Sequence, residues 1–115
     1  MKKDTLFLLP PGFEDNNRRE FCPECAELWG VLHYYPAIKE ALHIDYVGIS
    51  HPRLPICSVL GQGRWNAPTL VFSSVADIPA GLNVKMSNGR SYLGAARDIA
   101  NYFAAQFGTA VPRGS

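Results

Sequence analysis

The sequence predicts one α/β domain: a mixed sheet built as a βαβ unit followed by a ββα unit, with helices on both faces. Three observations carry that expectation. The apolar run TLFLL at residues 5–9 stops abruptly at Pro10-Pro11-Gly12, as a short strand buried on both faces does. Leu28, Val31, Leu32 and Tyr35 then fall at i, i+3, i+4 and i+7, which is one stripe of a helix. Near the far end, Asn88-Gly89 between residues 84–87 and 90–93 has the composition of a two-residue hairpin turn, and a second helical stripe follows it.

The elements between these anchors follow in order. Residues 13–20 read as a polar loop. Helix formation is expected from Pro23, whose missing N–H would have no intrahelical partner in a first turn. Pro36 stops or kinks that helix, and residues 37–42 add another turn or two. Residues 44–49 are β-branched and aromatic enough for a second strand, ending at Ser50-His51-Pro52. Residues 55–60 form a short helix closed by Gly61 and Gly63, and residues 69–72 a third strand directly after Ala67-Pro68. Ala96, Ile99, Ala100, Phe103 and Phe107 mark one face of the closing helix, with Gly108 where a C-terminal cap belongs. A βαβ unit requires its two strands to be parallel with a right-handed crossover, and the second half of the chain adds antiparallel strands.

A chain of 115 residues suits one core, assigned to residues 1–108, with 109–115 as a tail. The last residues resemble a thrombin-site remnant, with alanine where such a site has leucine, and are left out of the fold reading. With 47% hydrophobic and 18% charged residues, the chain has enough apolar material to bury a core. Its net charge of +1 is dispersed apart from Lys2-Lys3 and Arg18-Arg19, which gives no footprint for nucleic acid or an anionic membrane. The N-terminal apolar run is too short for a signal peptide or a membrane span, so a cytoplasmic location is expected. In that compartment three cysteines are thiols, metal ligands or redox groups rather than a disulfide framework.

The chemistry concentrates in Cys22-Pro23-Glu24-Cys25, at the start of the first helix. Backbone N–H groups and the helix dipole stabilise an anion there, so a thiol at the tip loses its proton more easily. Cys22 is at the tip, whereas Cys25 lies one turn in and leans toward the buried face. Dithiol exchange needs that asymmetry: an accessible thiolate attacks a disulfide and a second thiol resolves the mixed disulfide. Arg18 and Arg19 would favour the thiolate if their loop folded back, and Glu24 opposes it. A zinc reading would join Cys22, Cys25, His51 and Cys57, but the helix continuing through Ala26-Glu27-Leu28-Trp29 lacks the tight turn of a zinc knuckle, and no metal is expected. Cys57 reads as a small buried hydrophobe, His33 and His43 as ordinary positions, and Trp29 and Trp65 as packing residues, with Trp65 close enough to Pro68 to line a cleft. If the cysteines are inert toward substrate, the domain is a binding or redox-sensing module.

Strand, Cys-Pro-x-Cys at a helix tip, strand, helix, Ala67-Pro68 before a strand, hairpin and closing helix: this order resembles the thioredoxin-like superfamily over nearly the whole chain. Cys22-Pro23-Glu24-Cys25 is similar to the glutaredoxin motif. Residues 88–103, NGRSYLGAARDIANYF, are similar to the last hairpin and helix of glutathione transferase N-terminal domains, and the whole resembles small, uncharacterised bacterial proteins of that fold. The resemblance implies a thiol–disulfide oxidoreductase with catalytic Cys22 and Cys25, acting on a protein or small-molecule disulfide. It also implies a cis peptide at Ala67-Pro68, whose residues shape a substrate groove with Ala95 and Ala96 at the closing helix tip. No tightly bound cofactor is implied. Ala95 and Ala96 stand where those transferases hold the γ-glutamyl carboxylate with polar side chains, so glutathione is expected to bind weakly, through backbone contacts at Ala67 and the helix N-terminus.

Overall fold

The apolar run near the N-terminus becomes the second strand of a five-stranded mixed sheet. In the computed structural model, which describes residues 2–64, 66–75 and 78–114, β1 (Asp4–Leu8) buries Leu6, Phe7 and Leu8 together, so both of its faces are covered. It is followed by β2 (Phe13–Asp15), β3 (Arg18–Glu20), α1 (Pro23–Tyr34), α2 (Pro36–Glu40) and β4 (Leu42–Tyr46). Then come α3 (Leu54–Leu60), β5 (Thr69–Val71), β6 (Lys85–Ser87), β7 (Arg90–Leu93) and α4 (Ala96–Phe107). The strand order is β4-β1-β5-β7-β6, with β1 and β4 parallel and the other neighbours antiparallel. The expected parallel pair is therefore present, and β6 is added at the edge beyond β7.

Two differences from the sequence reading have local causes. Residues 13–20 are a β2–β3 hairpin and not an irregular loop; its turn residues Asn16 and Asn17 both have positive φ, 52° and 58°, the backbone of a type I′ turn that asparagine tolerates. Strand β4 lies two to three residues earlier than expected. Its boundary is set by pairing with β1, in register from Asp4↔Leu42 to Leu8↔Tyr46, which uses residues the helical pattern would have claimed. Asn88 and Gly89 turn the second hairpin with φ of 52° and 72°, and Gly108 closes α4 in the left-handed region, donating its N–H to the Ala104 carbonyl at 2.9 Å. The Ala67–Pro68 peptide is cis, as expected, and so is His51–Pro52.

The core joins Leu28 and Leu32 of α1, Ile38 of α2, Ile56 and Leu60 of α3, and Ile99 and Phe103 of α4 with the inner strands. One polar tie crosses the sheet end: Asp4 Oδ1 accepts from Ser73 N–H at 2.8 Å, and Asp4 Oδ2 accepts from Tyr102 Oη–H at 3.0 Å. Asp4→Ala is expected to lower stability by about 1–3 kcal/mol, the range for hydrogen bonds to a charged group, readable as a shifted urea midpoint.

Candidate functional site

The C-terminal end of β1 delivers the chain to the cysteine pair. Leu8 C=O accepts from Val47 N–H at 2.8 Å, and the next residue, Leu9, donates its N–H to Cys25 Sγ at 3.4 Å. The β2–β3 hairpin then returns the chain to Cys22, which is the N-cap of α1 with extended φ and ψ of −80° and 113°. Cys22 Sγ accepts the Cys25 N–H at 3.2 Å, and Pro23 occupies the first turn where no N–H is needed. Both cysteines are free thiols; Cys22 is half-buried and Cys25 only 3% exposed. An apolar cavity of about 340 Å³ opens over the pair, lined by Leu9, Pro11, Phe21, Cys22, Cys25 and Trp29.

Burial pushes the Cys25 thiol up from its ordinary 9.0 to about 12, its hydrogen bond with Cys22 acting in the same direction and the Leu9 N–H against it. Arg18 and Arg19 do not reach back to the dithiol. Arg18 Nε pairs with Glu20 at 2.8 Å and Arg19 Nε with Glu14 at 3.7 Å, both within the β2–β3 hairpin.

Glu24 acts electrostatically as expected, its charge helping to raise the Cys25 thiol, and it has a structural role besides. Its Oε1 accepts the Ala96 N–H at 3.0 Å, across 72 residues of sequence, at the start of α4. The α4 N-cap, Ala95, has no side chain able to cap, so a carboxylate from α1 does the capping. The Ala96 N–H, expected to be open to an anion, is therefore already engaged. Gly94, two residues earlier, accepts Asn66 Nδ2–H at 2.6 Å, and the same Nδ2 donates to Pro68 C=O at 3.1 Å. Because β5 runs antiparallel to β1 with Phe7 opposite Thr69, Pro68 lies immediately before β5, beside the end of β1. Cys22, Cys25, Ala67, Pro68, Ala95 and Ala96 thus share one end of the sheet, linked through Glu24 and Asn66.

Residues 3–111 match a family of proteins of unknown function, DUF3088. The chain belongs to the DUF3088 family. No curated protein and no solved structure matches it. The DUF3088 match runs past Gly108 into the tail, where Arg97 Nη1–H donates to Arg113 C=O at 3.0 Å.

The zinc set is not assembled in this DUF3088 protein. Cys22 and Cys25 line the cavity at α1, whereas His51 and Cys57 line another beside α3, and no group of three or more His, Cys, Asp or Glu is placed to hold a metal among the described residues. Cys57 is half-buried rather than buried, with its Sγ–H toward Arg64 C=O at 3.4 Å. His33 and His43 are exposed, Trp29 packs against the core, and Trp65 lies outside the described residues. No helix among the described residues is long and apolar enough to cross a membrane.

Two measurements follow for the pair. At neutral pH, iodoacetamide is expected to label Cys22 while Cys25 stays unmodified until the protein unfolds, as read by peptide mass spectrometry. The raised Cys25 value also gives stability a pH dependence. Below about 9 both folded and unfolded chains carry the proton; from 9 toward 12 only the folded chain retains it, so rising pH favours unfolding. Urea melts are expected to weaken above pH 9, and less so in Cys25→Ala.

Proposed function

We propose that the chain is a thiol–disulfide oxidoreductase of glutaredoxin-like type on a thioredoxin-like fold. The fold reading is supported by the order β4-β1-β5-β7, the parallel β1/β4 pair, the antiparallel β5 directly after Pro68, and the packing of α1 against α4. One observation carries the activity: the half-buried Cys22 sulfur at the N-cap accepts an N–H, while Cys25, one turn behind, is buried and holds its proton. The first is placed to attack and the second to resolve.

The Cys22 thiolate attacks one sulfur of a substrate disulfide, forming a Cys22–substrate disulfide and expelling the other half as a thiolate. As Cys25 attacks Cys22 Sγ its proton passes to that departing thiolate, and the second half of the substrate leaves as a thiolate that takes its proton from water. The dithiol becomes the Cys22–Cys25 disulfide and the substrate gains its two electrons. Protein or small-molecule disulfides both fit this half-reaction, and the apolar walls from Phe21 and Trp29 favour an apolar flank beside the target sulfur.

The test is a dithiothreitol redox titration of the pair together with insulin and mixed-disulfide reduction. A defined two-electron potential with turnover is expected. A disulfide that forms reversibly yet reduces no substrate would overturn catalysis in favour of a sensing or binding module.

A further inference from the structure

We propose that the cavity between α3, the 61–67 loop and β6 is a binding site for a small molecule bearing a phosphate group. The cavity measures about 530 Å³, within the range that encloses a metabolite. Its rim carries His51, Arg53, Arg64 and Lys85, and no acidic residue among the described residues lines it. In a chain with 11 Lys and Arg against 10 Asp and Glu, a concave wall that carries Arg53, Arg64 and Lys85 without an acid is a local excess of positive charge.

The cations are oriented by neutral groups. Arg53 Nε–H donates to Gly48 C=O at 2.8 Å, and Arg64 Nε–H donates to Ser87 Oγ at 3.3 Å. The Ser87 hydroxyl fixes the Arg64 guanidinium without cancelling its charge, which leaves a planar fork suited to phosphate oxygens. The ion pairs among described residues engage Arg18, Arg19, His43 and Arg97, and none of them uses Arg64 or Lys85. The Tyr92 hydroxyl on the same wall makes no hydrogen bond to a described residue, so it adds a donor for a phosphate oxygen. The walls are held together as well: Asn88 Nδ2–H donates to Val59 C=O at 3.1 Å, and Ser87 Oγ–H donates to Leu60 C=O, tying the β6–β7 turn to the end of α3. Solvated surface cations would need neither concavity nor these ties.

This site does not depend on the redox reading, although Ala67, one of the residues expected to shape a substrate groove, lines it. The probe is methyl phosphate, titrated into the full ¹⁵N-labelled chain at constant ionic strength with chloride as the control. Saturable amide shifts are expected at Gly63, Ala67, Lys85 and Gly94, with chloride producing none. Arg64→Ala and Lys85→Ala, both exposed positions, should each weaken binding about 10- to 100-fold, the scale of one charge-assisted hydrogen bond, while the rest of the spectrum stays in place. Linear shifts, shifts centred on Lys2, Lys3, Arg18 and Arg19, or binding unchanged in both variants would overturn the proposal.

Discussion

Replacing Cys22 with serine is expected to reduce disulfide turnover by at least about 10²-fold, because the thiolate and not a hydroxyl is the nucleophile in exchange. Cys25→Ser should behave differently. Its Cys22 still attacks, but nothing resolves the product, so the variant accumulates a mixed disulfide with substrate that intact-mass measurement detects. The asymmetry comes from the structure: Cys22 Sγ sits at the N-cap within reach of solvent, and Cys25 lies 3% exposed beneath the Leu9 N–H. Serine at residue 22 can accept the same residue-25 N–H, so the cap survives and the loss reports on sulfur chemistry. Equal loss in both variants, or a mixed disulfide trapped on residue 25, would reverse the assigned roles.

The parts of this fold that were legible are those with strong local patterns. The TLFLL run, the i, i+3, i+4, i+7 stripe of α1, Asn88-Gly89, and the α4 stripe with its Gly108 cap each encode their structure within a short window. The β2–β3 hairpin leaves no clear signal because its strands are three residues long and, apart from Phe13, polar, so no alternation distinguishes them from a loop. Strand β4 was shifted because its limits depend on a partner 38 residues away, and local composition does not carry register.

The same division holds at the site. Cys-Pro-x-Cys and Ala67-Pro68 announce themselves, but the contact joining Glu24 to Ala96 spans 72 positions and leaves no periodic trace. The sequence shows Glu24 as a charge that disfavours a thiolate, which it does at Cys25; what it does not show is that the same carboxylate replaces the capping side chain that Ala95 lacks. The cations at positions 53, 64 and 85 come from three separate segments and converge only when α3 and β6 meet.

Glu24 also decides what the α4 tip can bind. Glutathione, if it docked in the groove beside Pro68, would bring its γ-glutamyl carboxylate to the N–H groups at the start of α4. In the wild type the Glu24 carboxylate already holds the Ala96 N–H at 3.0 Å, and being tethered it competes at a millimolar effective concentration or higher. Weak glutathione binding is therefore expected from two causes, the missing polar side chains at Ala95 and Ala96 and an internal occupant. Removing that occupant while restoring a hydroxyl, in Glu24→Ala with Ala96→Ser, is expected to tighten binding by about one to two orders of magnitude, since one charge-assisted hydrogen bond contributes about 1.5–3 kcal/mol. Glu24→Ala alone should also cost about 0.5–2 kcal/mol of stability through the lost cap. Calorimetric titration of glutathione into wild type, both single variants and the double variant separates these effects. Micromolar binding by the wild type would show that another residue holds the carboxylate. A double variant that loses stability yet gains no affinity would show that the α4 tip serves only to hold α1 and α4 together.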